Sequence, residues 1–187
     1  MQPITIILTD AYSDWEVAAL AGAGRAFFGA DIRFASPDGG ALTSAAGLPI
    51  ADTARFEAPA EGVVVICGGP AWEGEAPPAI GPKLRQSLAN GCTLAAICGG
   101  TIALANARLL DDVHHTSNGP AYLGGLSKTY RGSAKFVDQT QALRDGPIIT
   151  APAPAPASFA QEVLMAAGLP ADAASQIRSM LALEHRS

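Results

Sequence analysis

The run Leu94-Ala-Ala-Ile-Cys98-Gly-Gly-Thr101 puts a cysteine where a short apolar strand gives way to a helix. At such a strand-to-helix elbow a side chain is held at the carboxyl end of the sheet, in a strained turn that needs small neighbours, here Gly99 and Gly100. A thiol in that place faces a crevice. It also lies beside the first N–H groups of the next helix, whose partial positive charge favours thiolate and lowers the pKa. The chemistry on offer is nucleophilic attack by the Cys98 sulfur, against the plainer alternative of a packed, inert cysteine.

The other candidates are those that would assist a thiol. Val63-Val-Val-Ile-Cys67 is a second clean strand that stops at Gly68-Gly69-Pro70, and in a parallel sheet its end shares a rim with Cys98. The N–H groups of Gly69 and Gly99 would then be two donors for an oxyanion. Glu16 stands in the first turn of the helix after the first strand, on the same rim, with Asp10 and Asp14 as weaker alternatives. The helix dipole alone explains a carboxylate there. Folded inward against the thiol, it would instead be kept protonated by burial and serve as hydrogen-bond donor or general acid. His114 and His115 are candidate bases for a cysteine nucleophile, and spacing does not choose between them. Cys67 reads as packing, and His185 as a solvated tail residue. The glycines from Gly22 to Gly29 lie inside a helical pattern with the third one late, so they are not a dinucleotide fingerprint, and no phosphate loop is present.

These groups require a framework. Ile4–Leu8, Ile32–Ser36, Val63–Cys67, Thr93–Ile97 and Ile148–Thr150 read as strands, with a short late strand at Phe136-Val137 and a decorating hairpin within 41–50. Helices are expected over 14–28, 83–90, 102–110 and 158–167, with a helical turn at 121–126. The alternation implies a three-layer α/β fold with a mainly parallel sheet, built as one domain over 1–187.

Composition narrows the function classes. The chain has 187 residues, 49% hydrophobic with much of that alanine, and 12 basic against 17 acidic residues for a net charge of −5. Nucleic-acid binding needs clustered Lys and Arg, which are absent here. No apolar run is long enough for a membrane span, and the N-terminus enters a strand without a basic flank. Three cysteines without metal-type spacing suggest neither a disulfide framework nor a zinc site. A cytoplasmic protein acting on a small molecule, with no cofactor, no metal, no nucleic-acid partner and no membrane partner, is the expectation.

Four segments together carry a resemblance: ILTDAYSDWEVAAL, VVVICGGPAW, LAAICGGTIALANARLLDD and ITAPAPAPASFAQEVL. They resemble the ThiJ/PfpI superfamily, relatives of the class I glutamine amidotransferase fold, over nearly the whole chain. The resemblance implies a flavodoxin-like sandwich, a homodimer, Cys98 as elbow cysteine, Glu16 as its acidic partner, and Gly69 and Gly99 as the amides facing the thiol. It implies activities from peptidase, glyoxalase or deglycase and isocyanide hydratase to chaperone-like and oxidative-stress roles. Departures prune these. Peptidases of the PfpI type have histidine directly after the nucleophile, where this chain has Gly99, and the later family histidine falls on Asn118, with His115 the nearest substitute. Isocyanide hydratases typically use Asp where Glu16 stands, and Thr101 is three positions past the cysteine. The amidotransferase His-Glu pair has no histidine to supply it between Ile148 and Glu162. A cysteine-dependent hydrolase, hydratase or glyoxalase-like enzyme is therefore expected, with an oxidisable, non-catalytic Cys98 as the alternative.

Overall fold

The computed structural model describes residues 1–183, so His185 lies outside the described residues. Nine strands are present among them: β1 (Ile4–Ile7), β2 (Ile32–Ser36), β3 (Leu42–Thr43), β4 (Pro49–Ile50), β5 (Ala54–Arg55), β6 (Val63–Ile66), β7 (Thr93–Ile97), β8 (Leu143–Asp145) and β9 (Ile148–Ala151). Seven form one sheet in the order β5-β2-β1-β6-β7-β9-β8, parallel except for the antiparallel edge strand β8, while β3 and β4 pair as a separate small hairpin. The α-helices are α1 (Asp14–Ala18), α2 (Gly24–Phe28), α3 (Gly81–Ala89), α4 (Gly100–Asn106), α5 (Tyr122–Leu126), α6 (Pro156–Ala166) and α7 (Ala171–Ala182). None of them is long and apolar enough to cross a membrane.

The β-branched runs form the centre of the sheet because both faces are covered. Alternate residues point opposite ways, so Ile4, Ile6, Val63, Val65, Ala95 and Ile97 join one core with Leu20, Phe159, Val163 and Leu164. Ile7, Val64, Ile66, Leu94 and Ala96 join the other with Trp72, Leu84, Ile102 and Leu104. The expected three-layer flavodoxin-like sandwich is therefore present.

Several expectations shift. The helix over 14–28 is continuous but passes through a π-helical turn at Ala19–Ala23. Helix α4 starts at Gly100 and ends at Asn106, short of Leu110, because Arg108 turns left-handed at φ 60°. Phe136 makes one isolated bridge to His115 instead of a strand. Strand β8 and helix α7 were not foreseen. The first is short and carries two charged residues, and the second follows the Gly168 and Pro170 that read as the end of the chain's helices.

In-register pairing puts the ends of β1, β6, β7 and β9 side by side: Ile7 pairs with Ile66, Ile66 with Ala96, and Ile97 with Ala151. The loops leaving these four strands form the rim on which the chemistry must lie.

Candidate active site

Cys98 immediately follows β7 and has φ 54°, in the left-handed region that residues with a Cβ adopt rarely and at a cost of about 1–3 kcal/mol. Its backbone is held on both sides. The Cys98 N–H donates to Ala151 O at 3.0 Å, and Cys98 O accepts from Thr101 N at 3.1 Å and from Thr101 Oγ1 at 2.6 Å. Thr101 Oγ1 in turn bonds Ser117 Oγ at 2.7 Å. The residue is half-buried.

The opposing wall is the turn after β6. Trp72 Nε1 donates to Cys67 O at 2.8 Å, Ser13 N to Gly68 O at 3.1 Å, and Gly68 N to Glu16 Oε2 at 2.8 Å. Glu16 is fully buried and leans across this turn. A Cβ on Gly68 would run into both carboxylate oxygens of Glu16 and come within 2.9 Å of Cys98 Cβ, so glycine is needed there for the acid and the thiol to meet. Glu16 Oε1 is buried and has no hydrogen-bond partner within bonding geometry among the described residues. Beyond Gly68, the Gly69 N would lie 3.3 Å from a Cβ on Gly99, which brings together the two residues expected to offer amides.

The electrostatics differ from the expectation. Burial, together with the neighbouring Glu16 carboxylate, pushes the Cys98 thiol up to about 11, against the opposing hydrogen bonds from the Asn118 amide and the Gly99 N–H. Loss of water thus outweighs the helix N-terminus. Burial also raises the Glu16 carboxyl, opposed by the adjacent Cys98 and by the hydrogen bond from the Gly68 N–H. Glu16 disfavours ionisation of the thiol, whereas the neutral thiol favours the ionised carboxylate, so the pair resists carrying two negative charges. Cys67, fully buried, has its thiol raised well above the ordinary value by burial, and its Sγ points to Ser13 O at 3.5 Å. The same sulfur lies 3.9 Å from Glu16 Oε2, so this buried cysteine packs against the acid.

His115 does not fill the expected base position. It is fully buried, with Nδ1 2.8 Å from Val113 O and Nε2 2.7 Å from Tyr130 Oη. A carbonyl only accepts, so Nδ1 carries the proton and Nε2 accepts from the Tyr130 hydroxyl. Both ring nitrogens are committed, Tyr130 and Phe136 pack edge-on against the ring, and burial lowers the imidazole pKa, keeping it neutral. His114 sits on the surface beside Asp145, with Nδ1 3.1 Å from Oδ2. Asp10 accepts from Thr43 N and Asp14 from Ala46 N, so both hold the β3–β4 hairpin.

The polar partner of the thiol is Asn118. Its Nδ2 donates to Cys98 Sγ at 3.3 Å while its Oδ1 accepts from Ala153 N at 2.9 Å, which fixes the amide's orientation. Next to it, Tyr122 Oη donates to Glu73 Oε1 at 2.6 Å, and that same oxygen lies 3.3 Å from where a Cβ on Gly99 would be. Burial raises the Tyr122 phenol and keeps it protonated. Glu73 and Tyr122 had no sequence signal, since 49 positions separate them. Asn118 had one: by the resemblance, the family's later histidine falls on it. Among the described residues, no cluster of His, Cys, Asp and Glu is arranged to hold a metal ion.

Two cavities reach residues that stand beside Cys98, one through Asn118 and one through Glu73. One of about 390 Å³ is lined by Asn118, Asp138, Gln139, Thr140, Pro152 and Ala153. A larger one of about 690 Å³ begins at Glu73 and extends past Glu75, Asn106, Leu126 and Lys128.

Known proteins share this arrangement of chain. Residues 2–166 match the model of the DJ-1/PfpI family. The DJ-1 superfamily protein Atu0886 from Agrobacterium tumefaciens superposes with a TM-score of 0.90 at 34% identity, covering all of both chains. A thiJ/pfpI family protein from Bacillus anthracis superposes at 0.84 with 27% identity over 99% of this chain and 91% of that one. Two Bacillus subtilis (strain 168) relatives named uncharacterized proteases are also similar. YoaZ is 36% identical over 102 residues, 54% of this chain and only 48% of its own length, and YdeA is 29% identical over 170 residues, 88% of this chain and 82% of its own. With the family model covering most of its length, the chain belongs to the DJ-1/PfpI family.

Proposed function

We propose that the protein is a cofactor-independent enzyme in which the Cys98 sulfur adds to an electrophilic carbon of a small metabolite, such as an aldehyde, amide or isonitrile. The observation that carries this reading is the left-handed, half-buried Cys98 with Glu16 buried beside it and Asn118 on its sulfur. A thiol raised to about 11 does not ionise by itself at neutral pH, so it needs a base at the moment of attack. Glu16 fills that role. As the S–C bond forms, the thiol proton passes to Glu16, the substrate's π electrons move onto its oxygen or nitrogen, and the Gly69 and Gly99 N–H groups stabilise that charge. With an amide, Glu16 then gives the proton to the departing amine as the C–N bond breaks, and water adds to the thioester and displaces the sulfur, which regains a proton as the carboxylic acid leaves. With an isonitrile, the proton goes to the attacked carbon, and water adds to the resulting thioimidate and expels the sulfur to leave the formamide. With an aldehyde bearing an adjacent carbonyl, Glu16 moves the proton of the attacked carbon to its neighbour, and water hydrolyses the thioester so formed.

Two other readings are weaker. The protease names of the B. subtilis relatives suggest peptide hydrolysis, but Gly99 follows the cysteine and the buried His115 has no nitrogen to spare. Partial exposure of Cys98 next to an acid favours an oxidation sensor, in which the sulfur becomes sulfenic or sulfinic acid without turnover. The raised thiol weighs against it, because it is the thiolate that attacks peroxide. The test is a panel of aldehydes, amides and isonitriles offered to wild type and Cys98→Ser. Turnover by wild type that falls by about a thousandfold or more in a folded variant supports the enzyme. Turnover retained in the variant overturns it. Stoichiometric oxygen addition at low peroxide with no turnover on the panel supports the sensor.

A further inference from the structure

The surroundings of the sulfur also bear on which molecules can bring the electrophile to it. The cleft beside Asn118 is lined by the Asp138 carboxylate and by no Lys or Arg. Gln139 has its amide nitrogen engaged by Gln141 O at 3.0 Å and Ala142 O at 3.2 Å, which leaves its acceptor oxygen uncommitted among the described residues. Asn118 has both ends in use, one on Ala153 and one on the sulfur. On the other side of Cys98 stands Glu73, close to Gly99, and the cavity beyond it holds Glu75 and one cation, Lys128. Beneath lies Glu16, buried with no cation among its neighbours. A substrate carboxylate or phosphate would enter a site where the fixed charges nearest the sulfur are negative and where no guanidinium or ammonium lines the approach past Asn118. Clefts whose walls carry one sign of charge discriminate in this way, because low-dielectric walls focus the field.

Resting on the reading of Cys98 as a nucleophile, we infer that the site selects uncharged electrophiles and discriminates against those bearing a carboxylate or phosphate. The substrate class is thereby narrowed to neutral aldehydes, amides or isonitriles, with 2-oxo acids and phosphorylated aldehydes disfavoured. Asp138 is the specificity-determining residue in the lining of that cleft. It is exposed, so its replacement leaves the fold intact.

The probes are iodoacetamide and iodoacetate, which are similar in size and differ in charge. In each reaction an S–C bond forms, iodide leaves and the thiol proton is released. Labelling is followed by intact mass and peptide mapping of Cys98 at low ionic strength, with glutathione as the reference thiol. The amide-to-acid rate ratio at Cys98 is expected to exceed that of glutathione by about tenfold or more, and to shrink in high salt. In Asp138→Asn the ratio is expected to fall by about two- to threefold, chiefly from faster iodoacetate labelling. A ratio equal to that of glutathione overturns the charge selection and leaves the nucleophile intact. An unchanged ratio in the variant overturns the role of Asp138. If Cys98 is labelled by neither reagent while glutathione is, the nucleophile reading itself fails, and that outcome is distinct from the other two.

Discussion

Two buried polar sites lie within one small molecule and are built on opposite terms. Around His115, the imidazole spends both nitrogens on Val113 and Tyr130, and aromatic edges close the sides. Around Cys98, Glu16 is just as buried but keeps Oε1 unpaired, and the cysteine backbone is left-handed. Thr9 Oγ1 and Asp14 Oδ1, also buried without partners among the described residues, lie at the same end of β1. Buried polar groups are normally satisfied, and an exception costs about 1–3 kcal/mol. The first site stabilises the fold. The second retains strain and unmet hydrogen bonds, which is the condition of groups whose partner arrives with a substrate.

The sharpest way to test that contrast is to neutralise each centre. Glu16→Gln is expected to lower kcat/KM by about a hundred- to ten-thousandfold, because an amide cannot take the thiol proton. The same change is expected to stabilise the protein. Burial raises the Glu16 carboxyl in the folded state, so above the ordinary glutamate pKa the ionised form opposes folding, and the penalty grows as pH rises through the folded value. Removing that charge predicts a gain of about 1–2 kcal/mol, or roughly 2–8 °C in Tm, read by thermal denaturation at neutral pH. His115→Phe is expected to do the reverse, costing about 1–3 kcal/mol through the stranded Tyr130 hydroxyl and Val113 carbonyl while turnover per folded molecule holds.

The glycines that seat each group give a second, smaller pair of effects. In Gly68→Ala the new methyl would strike the Glu16 carboxylate and Cys98 Cβ, so activity is expected to fall by about a hundredfold through misplacement. In Gly132→Ala it would strike Leu110 O and the His115 ring at 2.8 Å, so the loss is expected in stability, about 1–3 kcal/mol, with activity kept. Equal activity loss in both variants would erase the distinction between the two sites.

The smallest effects lie in pH dependence. Acidification protonates Glu16 and removes the base, so the acid limb of kcat/KM is expected above the ordinary glutamate value of 4.5. His115 is held neutral by burial, so below about pH 6.5 the unfolded chain takes up a proton that the folded one resists, and stability declines as pH falls. That decline is expected to weaken in His115→Phe, as read by denaturation across pH 5–8.

Much of this was legible because local pattern and chemistry coincide. The β-branched strands, the glycines after β6 and β7, and the order of strands and helices pointed to the sheet and to Cys98 on its rim. Glu16 was visible as an acid on that rim, but whether it faced solvent or the thiol depended on the turn at Gly68, which is a tertiary arrangement. His115 misled because a histidine near a cysteine in sequence says nothing of where its nitrogens are spent. The sign of the thiol's shift was missed for a similar reason: the helix N-terminus can be read locally, whereas burial by the loops after β1, β6 and β9 cannot. Glu73 and Tyr122 meet only through folding.

The most direct test is to quench wild type during turnover of a neutral electrophile from the panel and to measure intact mass, with peptide mapping of any adduct. A substrate-derived mass on Cys98, absent in Cys98→Ser and scarce in Glu16→Gln, is the predicted result. Sustained turnover with the sulfur never modified, or with the adduct on another residue, would contradict the account.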